Sequence, residues 1–307
     1  MNRRSFLKNG IATASAVALA APGRASAAPR SAAGSPAKAF RLKYAPSIGE
    51  FKAHAGADPL AHVAFASDEG FGAMFDNGLI GRPPAQQEAI AREIAKRNMV
   101  LGPFVLYADF GKMSFVTRDK DVREMLLQKM RDGVDCMKRT GVGQALVVPG
   151  RFDERLGWDY QTANVIENLR LCMDVCQPAG LVLVLEPLNP RNHPGLFLTK
   201  MGQAYNICKA VKSPSCKILD DVYHQQITEG DLIPNIEACW DEIAAFHLGD
   251  NPGRNEPGTG EINFKGIFRR LAAKGYAGVL CMEHGHSKPG KDGERAVIEA
   301  YRACDEF

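Results

Sequence analysis

Short apolar runs alternate with longer helical stretches from residue 41 to the C-terminus, and this predicts an α/β fold. Three observations narrow it. The alternation repeats eight times. No long linker divides it into two domains. Ligand-type side chains gather just beyond the apolar runs, at the C-terminal ends of the expected strands, which is where barrels of this class keep their chemistry. The simplest closed solution is a single (β/α)8 TIM barrel over residues 40–307. A doubly wound open sheet is the alternative, but no Gly-x-Gly-x-x-Gly follows the first strand and no phosphate-binding loop is present.

Residues 41–47 read as the first strand, followed by a helix over 59–67. A short strand at 71–75 follows Gly70. Residues 84–98 read as a helix, with proline in its first turn and Ile90 and Ile94 four apart. The third strand spans 100–107. The clearest helix covers 119–140, where Val122, Met125, Leu126, Met130, Val134 and Met137 share one face. Those methionines are core packing. Strand four, 144–148, ends at Pro149-Gly150, and the next helix, 160–177, is closed by Pro178 and Gly180. Residues 181–185 are continuously apolar, as a strand buried on both faces requires. A helix at 199–211 leads to strand six at 216–219, and a helix at 229–239 leads to strand seven at 243–248. A helix at 263–274 is stopped by Gly275. Strand eight is 278–282 and the last helix 293–304.

The first residues read as a leader and not as fold. Arg3-Arg4-Ser5-Phe6-Leu7-Lys8, an alanine-rich apolar run and Ala25-Ser26-Ala27 resemble a twin-arginine (Tat) signal peptide over residues 1–27. The apolar run is about half the roughly 20 residues a membrane span needs. Residues 28–39, rich in Ala, Ser, Gly and Pro, read as a flexible linker. The expected location is the periplasm, with no membrane span after cleavage. The chain carries a net charge of +3, and Arg3, Arg4, Lys8 and Arg24 give the leader four positive charges with no acid, so the remainder stands near −1. A near-neutral body argues against nucleic acid as partner. The eight cysteines form no Cys-x-x-Cys pair and fall inside expected helices and strands. They read as small buried hydrophobes, not as a disulfide framework.

The chemistry stands at the ends of the last four strands. Strand five ends at Glu186, strand six at Asp220-Asp221 with His224 close behind, strand seven at His247 and strand eight at Glu283. Three carboxylates and an imidazole on one rim make a site for a divalent cation, Mn²⁺, Mg²⁺ or Co²⁺. Asp220 and Asp221 also have a plain reading as helix caps. His284 and His286 read as loop residues. The loop after strand seven holds Asp250, Arg254, Glu256 and Glu261 among glycines and prolines. Asp250 reads as ordering that loop. Arg254 either holds a substrate carboxylate or pairs with Glu256 or Glu261.

Glu186-Pro187-Leu188-Asn189, Asp221-Val222-Tyr223-His224, His247-Leu248-Gly249-Asp250-Asn251-Pro252-Gly253-Arg254 and Met282-Glu283 resemble the xylose-isomerase-like TIM barrels. The loop, with Glu256-Pro257-Gly258-Thr259-Gly260-Glu261-Ile262-Asn263, is most similar to hydroxypyruvate isomerases. The resemblance implies a metal held by Glu186, Asp221, His247 and Glu283. It implies that Glu186 and Glu283 are the catalytic acid and base, with His224 and Arg254 close to the substrate. Asn189 is a further candidate for a substrate hydroxyl. The ends of strands two and three, Met74-Phe75-Asp76 and residues 107–115, depart from the hydroxypyruvate isomerase pattern, so the substrate side differs more than the metal side.

The expected activity is a metal-dependent isomerase acting on a small 2-hydroxy carbonyl compound. A glutamate removes a C–H proton, giving an enediolate, and a proton returns at the neighbouring carbon. The expected partner is a small carbohydrate or hydroxy-keto acid, and the chain is a possible homo-oligomer. The alternatives are a ketose 3-epimerase or a sugar-type dehydratase on the same site, or a non-catalytic periplasmic carbohydrate-binding protein. An endonuclease-IV-like nuclease would need histidines at the ends of strands two and three, and none stands there.

Overall fold

The computed structural model describes residues 37–307. The leader expected over 1–27, and all but the last three residues of the linker expected over 28–39, lie outside the described residues. In chain order β1 (Lys43–Pro46) precedes α1 (Lys52–Ala55) and α2 (Pro59–Asp68), and β2 (Ala73–Met74) precedes α3 (Pro84–Lys96). Then β3 (Val100–Leu101) and β4 (Phe104–Ala108) lead to α4 (Lys120–Thr140), and β5 (Gln144–Val148) to α5 (Trp158–Ala179). Next come β6 (Val182–Leu185) with α6 (Met201–Val211), and β7 (Cys216–Asp221) with α7 (Val222–Thr228) and α8 (Leu232–Ala238). The chain finishes with β8 (Ile243–Leu248), α9 (Phe264–Ala273), β9 (Val279–Met282) and α10 (Gly290–Cys304).

The strands of the main sheet are parallel and run in the order β1-β9-β8-β7-β6-β5-β4. The first strand therefore lies beside the last, as barrel closure demands. The remaining gap is filled by β2. Ser47 bridges Phe75 in parallel, the Gly102 N–H donates to the Met74 carbonyl at 2.7 Å, and the Val105 N–H donates to the Asn77 carbonyl at 3.2 Å. The result is the expected α/β TIM barrel. Among the described residues, no helix is long and apolar enough to cross a membrane. All eight cysteines are free, and all but Cys304 are buried, in keeping with their reading as core residues.

Two elements differ from the sequence expectation. The third strand breaks at Gly102-Pro103. Proline brings no N–H to the ladder, and Gly102 passes so close to its neighbours that a Cβ there would lie 3.1 Å from Phe75 Cβ and 3.3 Å from Cys281 Sγ. The helix expected over 229–239 is α8, which starts only at Leu232, and a further helix that the sequence did not announce, α7, precedes it. They are separated by Gly230 and Asp231, both in the left-handed region at φ 63° and 47°. Helix α7 begins directly after β7 because the Asp221 side chain accepts from the Tyr223 and His224 N–H groups at 2.9 and 3.2 Å.

Alternation along the strands separates two kinds of core. Residues such as Ala145, Val147, Leu183 and Leu185 face the helices. Their neighbours Leu146, Val148, Val184, Leu219 and Ala245 fill one part of the barrel interior, and Ala45, Ala73, Phe75, Val279 and Cys281 fill the other. Side chains repeat every second residue along a strand. Two residues beyond Val184, Leu219, Ala245 and Cys281 stand Glu186, Asp221, His247 and Glu283, so the interior periodicity carries all four to the mouth.

The connection after β9 fixes where Glu283 leads. A Cβ on Gly293 would lie 1.8 Å from the Lys288 carbonyl oxygen, so the first turn of α10 packs against the backbone of that connection. Gly293→Ala forces backbone apart and costs about 2 kcal/mol, lowering the melting temperature by roughly 4–8 °C in a thermal melt. An unchanged melt refutes this packing.

Candidate metal centre

Each of the four mouth residues is set by a strand end. Glu186 follows β6 directly, and its N–H donates to the Val147 carbonyl at 3.3 Å. Asp221 closes β7 and pairs in register with His247 of β8. Glu283 follows β9. One ligand atom from each of these four residues lies within 4.8 Å of the other three. The Nδ1 of His247 is 3.1 Å from Glu186 Oε1 and 3.1 Å from Glu283 Oε2. Glu186, Asp221 and His247 are buried, and Glu283 is partly exposed toward the mouth.

A fifth group completes the charge. The Arg254 Nη2 lies 2.5 Å from Asp221 Oδ2 and also contacts Glu283 Oε2, while its Nε donates to the Glu283 carbonyl at 3.1 Å. Arg254 therefore pairs with neither Glu256 nor Glu261, the partners weighed from sequence. Glu256 accepts instead from the Ser287 N–H at 2.9 Å, and Glu261 from Asn251 Nδ2 at 2.8 Å. Arg254 sits at φ 52°, a left-handed conformation uncommon for a side-chain-bearing residue. Its N–H donates to the Asp250 carbonyl and its carbonyl accepts from Gly285, each at 2.8 Å. The guanidinium also lies 4.9 Å from the centre of the Tyr223 ring.

Asp250 is the organiser of this loop. Its fully buried carboxylate accepts from the N–H groups of Asn251, Ile262, Gly258 and Gly260 at 2.8, 3.1, 2.8 and 2.9 Å. Asp221 does both things the sequence left open. One oxygen caps α7 and the other faces the cluster. Asp220 points away from the cluster, fully buried, with Gln225 as its neighbour.

The electrostatics follow from burial. Burial pushes the Glu186 carboxyl up to about 7, the charges of Glu283 and Asp221 add to this, and its contact with His247 works against it. Burial also acts on Glu283, but the charges of His247 and Arg254 and the Asn77 hydrogen bond outweigh it and hold Glu283 below the usual carboxylate range. Burial opposes protonation of His247, and the charge of Glu283 with the Glu186 contact overcomes it. His224 is pushed down to about 4, mainly by burial, and is neutral at pH 7. Its Nδ1 accepts from Asn189 Nδ2 at 2.6 Å, which leaves Nε2 as the N–H, 3.6 Å from Asp221 Oδ2.

Asn189 differs from its expected role. Its amide is spent on His224 and on Asn192, whose Oδ1 it meets at 2.9 Å and whose N–H it accepts at 2.9 Å. It is fully buried and orients His224 instead of facing a substrate. Sequence reasoning missed Asn77 and His193. Asn77 donates to Glu283 Oε1 at 2.5 Å. It stands two residues beyond Phe75, so the alternation that finds the four ligands also finds it. The His193 ring lies 5.4 Å from that of His224 and 4.9 Å from that of Phe110, which makes it part of the wall over the cluster. Nothing local in the sequence marks it.

Three carboxylates and one imidazole nitrogen on a largely buried floor fit a divalent cation. The guanidinium of Arg254 already meets two of these carboxylates, which shows that the cluster accepts positive charge. At the rim, the β9–α10 connection is fastened by Glu50, which meets His286 Nε2 at 2.7 Å, and by Glu256 through Ser287.

A family model described as xylose isomerase-like TIM barrel matches residues 63–304. Hydroxypyruvate isomerase of Escherichia coli (strain K12) is 35% identical over 122 residues, 40% of this chain and 47% of that protein. 2-Oxo-tetronate isomerase of Cupriavidus necator is 32% identical over 122 residues, with the same coverage of 40% and 47%. The chain thus spans about half the length of the curated relatives it matches. Among solved structures, AP endonuclease, family 2 from Brucella melitensis superposes with a TM-score of 0.71 at 24% identity, covering 82% of this chain and 96% of that one. D-Psicose 3-epimerase from Clostridium cellulolyticum H10 does so with a TM-score of 0.69 at 18% identity, covering 87% and 100%. These structural likenesses establish the fold.

Two outcomes follow for the site. Arg254→Ala leaves Asp221 and Glu283 without their cation, so the metal-free protein loses about 2 kcal/mol, allowing for the partial exposure of the pair. Adding Mn²⁺ then raises the melting temperature more in the variant than in wild type, and an equal or smaller rise contradicts competition between guanidinium and metal. The hydrogen bond to Glu50 raises the pKa of His286. A raised histidine contributes its stability in full below its unfolded value of about 6.5 and loses it as pH rises through the folded value. Melting curves of wild type and Glu50→Gln therefore lie furthest apart near about pH 5.5 and converge by about pH 8. A gap that does not change with pH counts against the latch.

Proposed function

The chain belongs to the xylose isomerase-like TIM barrel family, and from that premise we propose that it is a divalent-metal-dependent isomerase of a small 2-hydroxy carbonyl compound. The observation that carries the reading is the convergence of Glu186, Asp221, His247 and Glu283, with one ligand atom of each within 4.8 Å of the rest. The partial matches to hydroxypyruvate and 2-oxo-tetronate isomerases support it.

Glu186, Asp221, His247 and Glu283 would hold the cation. When bound, it supplies Lewis acidity that makes the C–H beside a carbonyl easier to ionise. The protein's own residues do the rest. The two glutamates flank His247 from opposite strands and titrate apart, Glu186 at about 7 and Glu283 below the usual range. Carboxyls pushed apart by their surroundings take different proton-transfer roles. Glu186 and Glu283, on either side of His247, each serve one of the two adjacent carbons. The route is an enediolate with a proton handled on each of two adjacent carbons. Neutral His224 presents its Nε2–H toward the cluster and donates to a substrate oxygen. Arg254 can exchange a cluster carboxylate for a substrate carboxylate, which suits a hydroxy-keto acid. Burial of Glu186, Asp221 and His247 excludes water from the reacting face. The twin-arginine pattern of residues 1–27 supports a periplasmic setting for this work.

The test is hydrogen exchange. With Mn²⁺ in D₂O, hydroxypyruvate or a short ketose exchanges its C–H proton in the presence of the enzyme, and product analysis separates isomerisation from 3-epimerisation. Glu186→Gln keeps metal binding by calorimetry and loses at least about 100-fold in turnover. Retained turnover in that variant refutes the assigned role, and absence of exchange with every hydroxycarbonyl tested refutes the isomerase and epimerase readings together.

A further inference from the structure

Four of the five large apolar side chains exposed among the described residues fall in two pairs along the chain, Phe110 with Met113 and Trp158 with Tyr160. The first pair lies in the connection between β4 and α4, and the second in the first turn of α5, just after the connection from β5. Both connections leave the C-terminal ends of strands and so lie on the mouth side of the barrel. They are tied to one another. Met113 bridges Gly150 in antiparallel fashion, the Arg151 N–H donates to the Lys112 carbonyl at 2.8 Å, and the Phe115 N–H donates to the Pro149 carbonyl at 3.2 Å. From α5, Asn168 Nδ2 holds the Phe115 and Thr117 carbonyls at 2.7 and 2.8 Å.

Between these connections lies a groove of about 550 Å³. Its volume falls in the range of roughly 300–1,000 Å³ usual for small-molecule sites. Its apolar walls are Met113, Val116, Val122, Leu156 and Tyr160. None of the four cluster residues lines it, so it is a separate site.

The polar lining decides what it takes. Arg118, Arg155, Asp119 and Asp153 line it, two charges of each sign, with Asp153 paired to Arg155 and Arg118 to Glu167 outside the groove. An anion or a cation therefore gains no net attraction. These groups are also held in place. Asp153 Oδ1 accepts from the Arg155 N–H and Nε at 2.9 and 3.1 Å, and Oδ2 from Nη2 at 3.2 Å. Arg118 Nε donates to Asn164 Oδ1 at 2.9 Å, and Asn164 Nδ2 to the Val116 carbonyl at 2.8 Å. Tyr160 is 70% exposed, so it offers an open aromatic side chain. An exposed aromatic face beside fixed, charge-balanced donors and acceptors matches a ligand that is apolar on its C–H face and ringed with neutral hydroxyls.

We propose that this groove is a binding site for a neutral carbohydrate unit, distinct from the metal centre. The C–H face of the sugar rests on Tyr160 and Met113, and its hydroxyls meet the Asp153–Arg155 and Arg118–Asn164 pairs. The site holds sugar at the mouth rim without transforming it, and it does not depend on the isomerase reading.

The experiment is isothermal titration calorimetry of the full chain with maltose and with methyl β-D-glucoside, in Mn²⁺ and again in EDTA. The expected result is saturable binding that survives EDTA and weakens at least about tenfold in Tyr160→Ala and in Arg155→Ala. Tyr160 is exposed, so its loss leaves the fold intact, and a melting curve checks this. No heat with either sugar overturns the proposal, as does equal affinity in wild type and Tyr160→Ala. Light scattering separates the competing explanation. A Tyr160→Ala chain that falls from dimer to monomer while neither protein binds sugar assigns the patch to a contact between copies and overturns the proposal. Sugar binding without hydroxycarbonyl turnover would leave this site standing while the isomerase reading fell.

Discussion

Like charge kept away from water is the constraint that shapes this mouth. Three carboxylates stand around one imidazole, with donor atoms within 4.8 Å of one another, and three of the four residues are buried. Such a group is tolerated only with compensating positive charge. The protein supplies part of it through Arg254. Much else serves to bring that guanidinium in: the left-handed backbone at Arg254, the Asp250 carboxylate that gathers four N–H groups beneath the loop, and the Gly285 contact that fastens it to the connection after β9. The polar loop is thus a scaffold for one cation, built from backbone hydrogen bonds.

How far the sequence discloses this varies by element. The convergence of Glu186, Asp221, His247 and Glu283 is legible because strand periodicity is strict. Each ligand stands two residues beyond an interior apolar residue, so finding the strand finds the side chain. The same rule reaches Asn77. The third strand was legible as an apolar run, but its break at Gly102 was not, since close passage to Phe75 and Cys281 is a tertiary matter. Helix α7 was hidden because its start depends on Asp221 acting as a cap, and the same carboxylate reads equally well as a ligand. His193 was not legible at all. Its place in the wall comes from a long loop, and no periodicity governs a loop. Asn189 shows the opposite error: a polar residue in the right stretch whose amide is consumed by its neighbours.

The mouth is divided in its construction. The four cluster residues stand at the C-terminal ends of β6, β7, β8 and β9, where parallel pairing and interior packing position them. The connections after β4 and β5 carry the exposed aromatic residues and the charge-balanced groove. Rigid strands suit a site whose donor atoms must keep their geometry, and longer connections suit contacts that vary with the ligand.

Asp221 ties these levels together through two oxygens with different duties. One starts a helix and the other faces the cluster. That helix carries Tyr223, which lies beneath the Arg254 guanidinium, and His224, the neutral N–H donor. A lineage cannot replace this carboxylate without losing either the charge it brings to the cluster or the start of the helix beside it. Asparagine at 221 would preserve the helix start and lose the charge, while glutamate would keep the charge and misplace the start. Neither single step leads to a working neighbour, so change at this corner has to come in pairs. Exploration of new chemistry is left to the opposite side of the mouth.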